Sequence, residues 1–105
     1  MLAITPAGLQ ERKRAGELWQ LLDVREPWEI RIASVPDAML IPMHEVAARI
    51  GELDAAESIA VLCHTGVRSA RVAGWLLARG FTIVANIEGG IDAWSKDVDG
   101  SIRRY

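Results

Sequence analysis

An α/β fold, with a central parallel sheet and helices on both faces, is the architecture this sequence predicts, and three observations carry the prediction. Short apolar runs of strand length, at 18–24, 38–42, 58–63 and 82–87, alternate with stretches of helical period. Strands and helices alternating at these lengths imply parallel strands joined by right-handed helical crossovers. The chain has 105 residues, half of them hydrophobic and a quarter charged, which suits one globular domain over 1–105 with a single core.

Each element has a local reason. Thr5 followed by Pro6 can cap and open a helix over about 6–15, with Gly16 as its exit. The run "LWQLLDV" is too short and apolar for an independent helix and reads as a buried strand that carries Asp23 near its C-terminal end. A helix is expected from Pro27 to about Ala33, and "AMLIP" reads as a strand stopped by Pro42. In "HEVAARIGEL", Val46, Ile50 and Leu53 fall on one face of an expected helix over 44–53. "SIAVLC" is a buried strand. In "SARVAGWLLARGF" (69–81), Val72, Trp75, Leu76 and Arg79 mark a helix that Gly80 stops, "TIVANI" is a further strand, and "GGIDAWSKDV" opens a last helix.

Composition excludes several functions. The formal charge of -2 and pI of about 5.6 do not suit a phosphate-coating basic face, so neither nucleic acid nor anionic membrane is an expected partner. No apolar run approaches the roughly 20 residues of a membrane span, and the N-terminus lacks the charged-then-apolar order of a secretory signal, so a cytoplasmic location is expected. One cysteine cannot form an internal disulfide, and with two scattered histidines it does not make a metal site. If Cys63 acts, it acts as a thiol.

Cys63 stands where the strand "SIAVLC" meets the loop "HTGVRS", and in open α/β sheets ligands bind at the C-terminal ends of strands. Successive amides in a tight strand-to-helix loop can converge on one point, where the helix N-terminus adds positive partial charge. Gly66 lets the backbone curl, and Arg68 offers a fixed charge to an anionic ligand. Helix N-termini and nearby cations favour the thiolate form of a cysteine, the form that is nucleophilic. A buried apolar cysteine ending a strand is the competing reading, and the adjoining Gly66 and Arg68 weigh against it.

The segments "LLDVREPWEI", "CHTGVRS" and "NIEGGIDAW", in this order and separation, resemble single-domain rhodaneses over nearly the whole chain. The resemblance implies a sheet of about five strands and a thiosulfate-type sulfurtransferase. Cys63 would be the nucleophile that carries a persulfide, and residues 64–68 its cradle. Cys63 and Arg68 are thus the expected catalytic residues. His64, Thr65, Gly66, Val67 and Ser69 are expected to meet the donor, with Asp23 and Arg25 in support. Partners would be a small sulfur donor and a thiol or cyanide acceptor, or a sulfur-carrier protein; no metal or organic cofactor is implied. Two segments depart from the usual pattern: "ASVPDA" stands where "GHIPGA" is common, and His64 where arginine is common.

Other readings share parts of this signature. Cysteine-dependent phosphatases and related arsenate reductases use a similar cradle, but with a longer gap than the four residues His64, Thr65, Gly66 and Val67 that separate cysteine from arginine here. A sulfur-relay or rhodanese-like protein-binding module would need the same cradle as an enzyme. Asp23, Arg25 and Glu29 also read as ordinary ion-pair formers, Ser69 as a helix cap, and His44 as a cap or a solvent-facing residue. Trp19, Trp28, Trp75 and Trp94 read as core or rim packing, Gly89 and Gly90 as a tight turn, and the tail "SIRRY" has no assigned role.

Overall fold

Alternation along one strand organises the molecule. In the computed structural model, which describes residues 1–105, strand β4 (Ser58–Leu62) lies in the middle of a five-stranded parallel sheet. Ile59 and Val61 point to one apolar layer, Ala60 and Leu62 to the other, as a period of two requires. The remaining strands are β1 (Leu2–Ile4), β2 (Trp19–Asp23), β3 (Met39–Leu40) and β5 (Val84–Ile87), in the order β1-β5-β4-β2-β3.

One face is covered by helix α3 (Val67–Ala78), which buries Val72, Ala73 and Leu76 against Leu22, Ile59, Val61 and Val84. The other carries α1 (Pro6–Arg14) and α4 (Gly90–Asp97), with Leu9, Ile91 and Trp94 packed on Leu21, Ala60, Leu62 and Ala85. Helix α2 (Pro27–Ile32) leads into Ala33 and Val35 of this second layer. Each fully buried aliphatic side chain contributes about 1.5–3 kcal/mol relative to exposure, so both layers are needed to offset chain entropy. The expected α/β architecture is the one found.

Local signals place most boundaries. Thr5 Oγ1 accepts the Gly8 N–H at 3.0 Å ahead of α1, and Gly16 leaves that helix at φ +96°. Helix α3 starts two residues earlier than the sequence predicts, at Val67, and stops at Ala78, so Ser69 sits inside its first turn and is not its cap. The N-cap is Gly66 in a left-handed conformation.

One strand lies outside the runs read from the sequence, and one expected helix needs correction. Strand β1 escapes the sequence pattern because it is three residues long, with only Ile4 buried, and it is recruited as an edge by β5. Residues 44–53 form no α-helix. They make two 3-10 turns, Met43–Glu45 and Ile50–Glu52, closed by bonds such as Glu45 N–H to the Pro42 carbonyl and Leu53 N–H to that of Ile50. Val46 and Leu53 still enter the core, so the apolar spacing is real, but tight turns satisfy it and Gly51 weakens any continuous helix.

Candidate active site

The thiol lies at the C-terminal end of β4, 1% exposed, with α3 rising directly behind the loop. The Gly66 N–H donates to Cys63 Sγ at 3.1 Å, and Ser69 Oγ lies 3.2 Å from the same sulfur. The Ser69 hydroxyl proton goes to Asn86 Oδ1, so its oxygen is free to accept the thiol proton; an ionised sulfur would need that hydroxyl to turn toward it. Asn86 Nδ2 donates to the Gly66 carbonyl at 3.1 Å and fixes the amide in that sense.

Two glycines let the loop close. Gly66 holds φ +107°, where an added Cβ would meet the Gly89 nitrogen at 3.4 Å. Gly90, at φ +58°, is more confined: a methyl there would fall on the carbonyl oxygens of Cys63 and His64, well inside contact distance. This approach lets Ile91 N–H donate to the Cys63 carbonyl at 2.9 Å and Asp92 N–H to that of His64 at 3.2 Å. The first turn of α4 thereby takes up the loop's carbonyls. The amides of His64, Thr65, Val67, Arg68 and Ser69 donate to no acceptor in the protein, and Gly66 alone is bonded to the sulfur. Unpaired amides beside a helix N-terminus suit an anion.

Among the predicted site residues, His64, Gly66 and Arg68 are half-buried at the mouth, Thr65 and Val67 are exposed, and Ser69 is wholly buried beneath the sulfur. The guanidinium of Arg68 reaches from α3 to α2, where Nη1 and Nη2 grip Glu29 at 2.6 and 2.8 Å. Hydrogen bonds to Glu29 hold its charge more firmly than water would, against the cost of burial, with smaller attractions from Cys63 and Tyr105. Burial opposes ionisation of Glu29. Bonds from Arg68, from the Tyr105 hydroxyl and from the Glu26 N–H outweigh it and lower the carboxyl to about 2.

Asp23 and Arg25 form a fully buried pair at 2.7 Å. Arg25 Nη2 also donates to the Ala33 carbonyl at 2.8 Å, so the pair ties the end of β2 to the exit of α2. This geometry fits the supporting role and the ordinary ion pair alike. Of the four tryptophans, Trp94 is core, while Trp28 is 54% exposed at the rim. His44 is exposed, 3.6 Å from Glu26 and from Glu45. An apolar groove of about 250 Å³ between Met43, Val46, Ala47 and Arg71, Val72, Trp75 lies apart from the thiol.

Sequence reasoning passed over two contributors, Asn86 and Tyr105. Asn86 stands inside the segment "NIEGGIDAW", so that motif could have pointed to it. Glu29, expected as an ion-pair former, is one: α2 places it opposite Arg68. Tyr105, in the unassigned tail, stacks on His64 with ring centroids 4.0 Å apart, and nothing local in the sequence signals that contact.

Known proteins share this arrangement of chain. The rhodanese-like domain family matches residues 5–97. A sulfurtransferase of Allochromatium vinosum is 33% identical over 93 residues, covering 89% of this chain and 87% of that protein. A chloroplastic rhodanese-like/PpiC domain-containing protein of Arabidopsis thaliana is 44% identical over 90 residues, 82% of this chain but 30% of that longer protein. Among solved structures, a rhodanese-like domain protein from Staphylococcus aureus superposes with a TM-score of 0.85 at 31% identity, over 100% of this chain and 99% of that one. With the family match spanning most of the chain and the five-stranded sheet delivering Cys63 to the mouth of a glycine-bounded loop, the chain belongs to the rhodanese-like family.

Proposed function

We propose that the chain moves sulfane sulfur from thiosulfate or a persulfide donor to cyanide or a thiol, through a persulfide on Cys63. The general role, that of a sulfurtransferase or rhodanese-like domain, follows from its relatives. One observation carries the finer reading: Cys63 Sγ takes the Gly66 N–H at 3.1 Å, at the base of a loop whose other amides have no acceptor in the protein. Such a cradle stabilises a thiolate before reaction and a persulfide anion after it.

The cycle has two displacements. Thiolate Cys63 attacks the outer sulfur of thiosulfate; the new S–S bond forms on the enzyme, the old one breaks, and sulfite departs with the electron pair. The terminal sulfur of Cys63–S–S⁻ then lies among the loop amides. An acceptor anion, cyanide or a thiolate, attacks that terminal sulfur and Cys63 leaves as thiolate, ready for another donor. Cys63 is the only cysteine, so no internal thiol can resolve the persulfide and the acceptor must come from outside. That acceptor is a small thiol, cyanide or the thiol of a sulfur-carrier protein.

Arg68 supports donor capture from the rim. Its bidentate bridge to Glu29 engages Nη1 and Nη2 and ties the first turn of α3 to α2, which leaves Nε without a partner in the protein as the donor for an anionic ligand. Gly66 and the amides of residues 64, 65, 67 and 68 form the anion cradle, His64 borders the entrance, and Asp23 with Arg25 maintains the sheet end beneath α2.

Steady-state turnover with thiosulfate and cyanide tests this directly. Thiocyanate should form, with ping-pong kinetics, and Cys63→Ser should abolish it. A reduced, folded protein that forms no thiocyanate from thiosulfate and transfers no sulfur from a glutathione persulfide would reject the reading.

A further inference from the structure

Residues 101–105 run back along α4 toward the mouth of the cradle. Ile102 is buried and its carbonyl accepts from Ser95 Oγ, while Arg104 Nε pairs with Asp92 Oδ1 at 2.8 Å. Asp92 is the residue whose N–H holds the His64 carbonyl, so the strap is anchored to the same turn as the loop.

Tyr105 closes the arrangement. Its ring lies parallel to the His64 imidazole, 4.0 Å between centroids and 7° between planes, with the Trp28 edge against it at 6.3 Å. Its hydroxyl donates to Glu29 Oε2 at 2.6 Å and accepts from Arg25 Nη1 at 3.1 Å. Glu29 is also the carboxylate that grips Arg68. A single phenol therefore contacts His64 directly and reaches Arg68 through its ion-pair partner. Burial, opposed by Arg25 and assisted by Glu29, pushes the hydroxyl up to about 12, so it remains a proton donor at neutral pH.

We propose that Tyr105 is a positioning residue of the sulfur-transfer site, setting both side chains that an anionic donor meets at the entrance: His64 by stacking, and Arg68 through Glu29. This rests on the proposed use of His64 and Arg68 in donor capture. The two arms are chemically separable. Tyr105→Phe keeps the ring and removes the hydroxyl, whereas Tyr105→Leu removes both.

The test combines donor kinetics with proton NMR of the imidazoles, His44→Gln identifying the His64 signals, on proteins shown to be folded by circular dichroism. Tyr105→Phe is expected to raise KM for thiosulfate about threefold with kcat changed less than about twofold, and to keep the ring-current shift of His64. Tyr105→Leu is expected to raise KM about tenfold and to move the His64 signals to solvent-like positions. A KM unchanged or lowered in Tyr105→Phe, or His64 signals indifferent to Tyr105→Leu, would overturn the proposal while the wild type still turns over. Absence of wild-type turnover with both thiosulfate and glutathione persulfide would instead reject the sulfur-transfer reading, and this proposal with it. Should Tyr105→Leu fail to fold, the KM of Tyr105→Phe decides.

Discussion

Two regions meet at the mouth of this site, and they are built from different materials. The cradle around Cys63 is a main-chain structure: Gly66 donates to the sulfur, and the Cys63 and His64 carbonyls are held by the N–H groups of Ile91 and Asp92. The opposite rim is a side-chain structure, in which Glu29 collects Arg68 and Tyr105 while Arg25 collects Asp23 and Tyr105. Backbone geometry cannot be relaxed by choosing another rotamer, whereas side chains can be trimmed one bond at a time. Changes to the cradle should therefore destroy the reaction, and changes to the rim should tune capture and stability.

The largest effect is expected at Gly90. In Gly90→Ala the new methyl must displace the Cys63 and His64 carbonyls or the start of α4, and a φ of +58° adds strain for any L side chain. Thiocyanate formation should fall at least about a hundredfold, with a loss of about 3 kcal/mol in urea unfolding. Near wild-type activity in this variant would show that the cradle tolerates backbone movement and would remove the contrast.

Acid unfolding probes the rim. The Glu29 carboxyl is lowered from 4.5 to about 2 in the folded protein, so its ionisation stabilises the fold fully above about pH 4.5. That stability is lost as the pH falls from about 4.5 through about 2. At about 1.4 kcal/mol per pH unit, it amounts to roughly 3 kcal/mol for this nearly buried group. Glu29→Gln should be less stable at pH 7 and should show a flatter stability profile between pH 4.5 and 2. A profile as steep as the wild type's would place the acid-labile group elsewhere.

Arg68→Ala follows. It leaves Glu29 buried with the Tyr105 hydroxyl and the Glu26 N–H as its remaining donors, and should cost about 2 kcal/mol of stability, discounted because Arg68 is part-exposed. Its kinetic signature should be a raised KM for thiosulfate with a smaller fall in kcat. Unchanged turnover at low donor concentration would remove Arg68 from donor capture.

These predictions rest on features of unequal legibility. The sheet was readable because β2, β4 and β5 are apolar runs bounded by helical periods, and the start of the cradle because Gly66 and Arg68 stand at fixed offsets from Cys63. Strand β1 and the 3-10 turns at 43–52 were not, since a three-residue edge has no period and a spacing of Val46, Ile50, Leu53 fits more than one kind of turn. Contacts between distant residues were the least legible. Tyr105 lies 76 positions from Glu29, and only the folded strap along α4 brings them together.

The smallest effect is expected at Asp37, in the departure "ASVPDA". Asp37 adopts φ +68°, the left-handed conformation that suits glycine and that aspartate tolerates at some cost. Asp37→Gly should change stability by less than about 1 kcal/mol, as relieved strain offsets added freedom in the unfolded chain, and should leave turnover unaltered. A kinetic change there would show that the turn before β3 communicates with the mouth.

The covalent intermediate tests the central claim most directly. After incubation with thiosulfate and removal of excess donor, intact-protein mass spectrometry should find the chain heavier by one sulfur atom. Cys63→Ser and prior alkylation should each prevent the gain. With no second cysteine to resolve it, the adduct should outlast the donor and disappear on adding cyanide, releasing thiocyanate in matching amount. Protein that stays unmodified by thiosulfate and by more reactive persulfide donors, with its thiol reduced and accessible, would contradict the account.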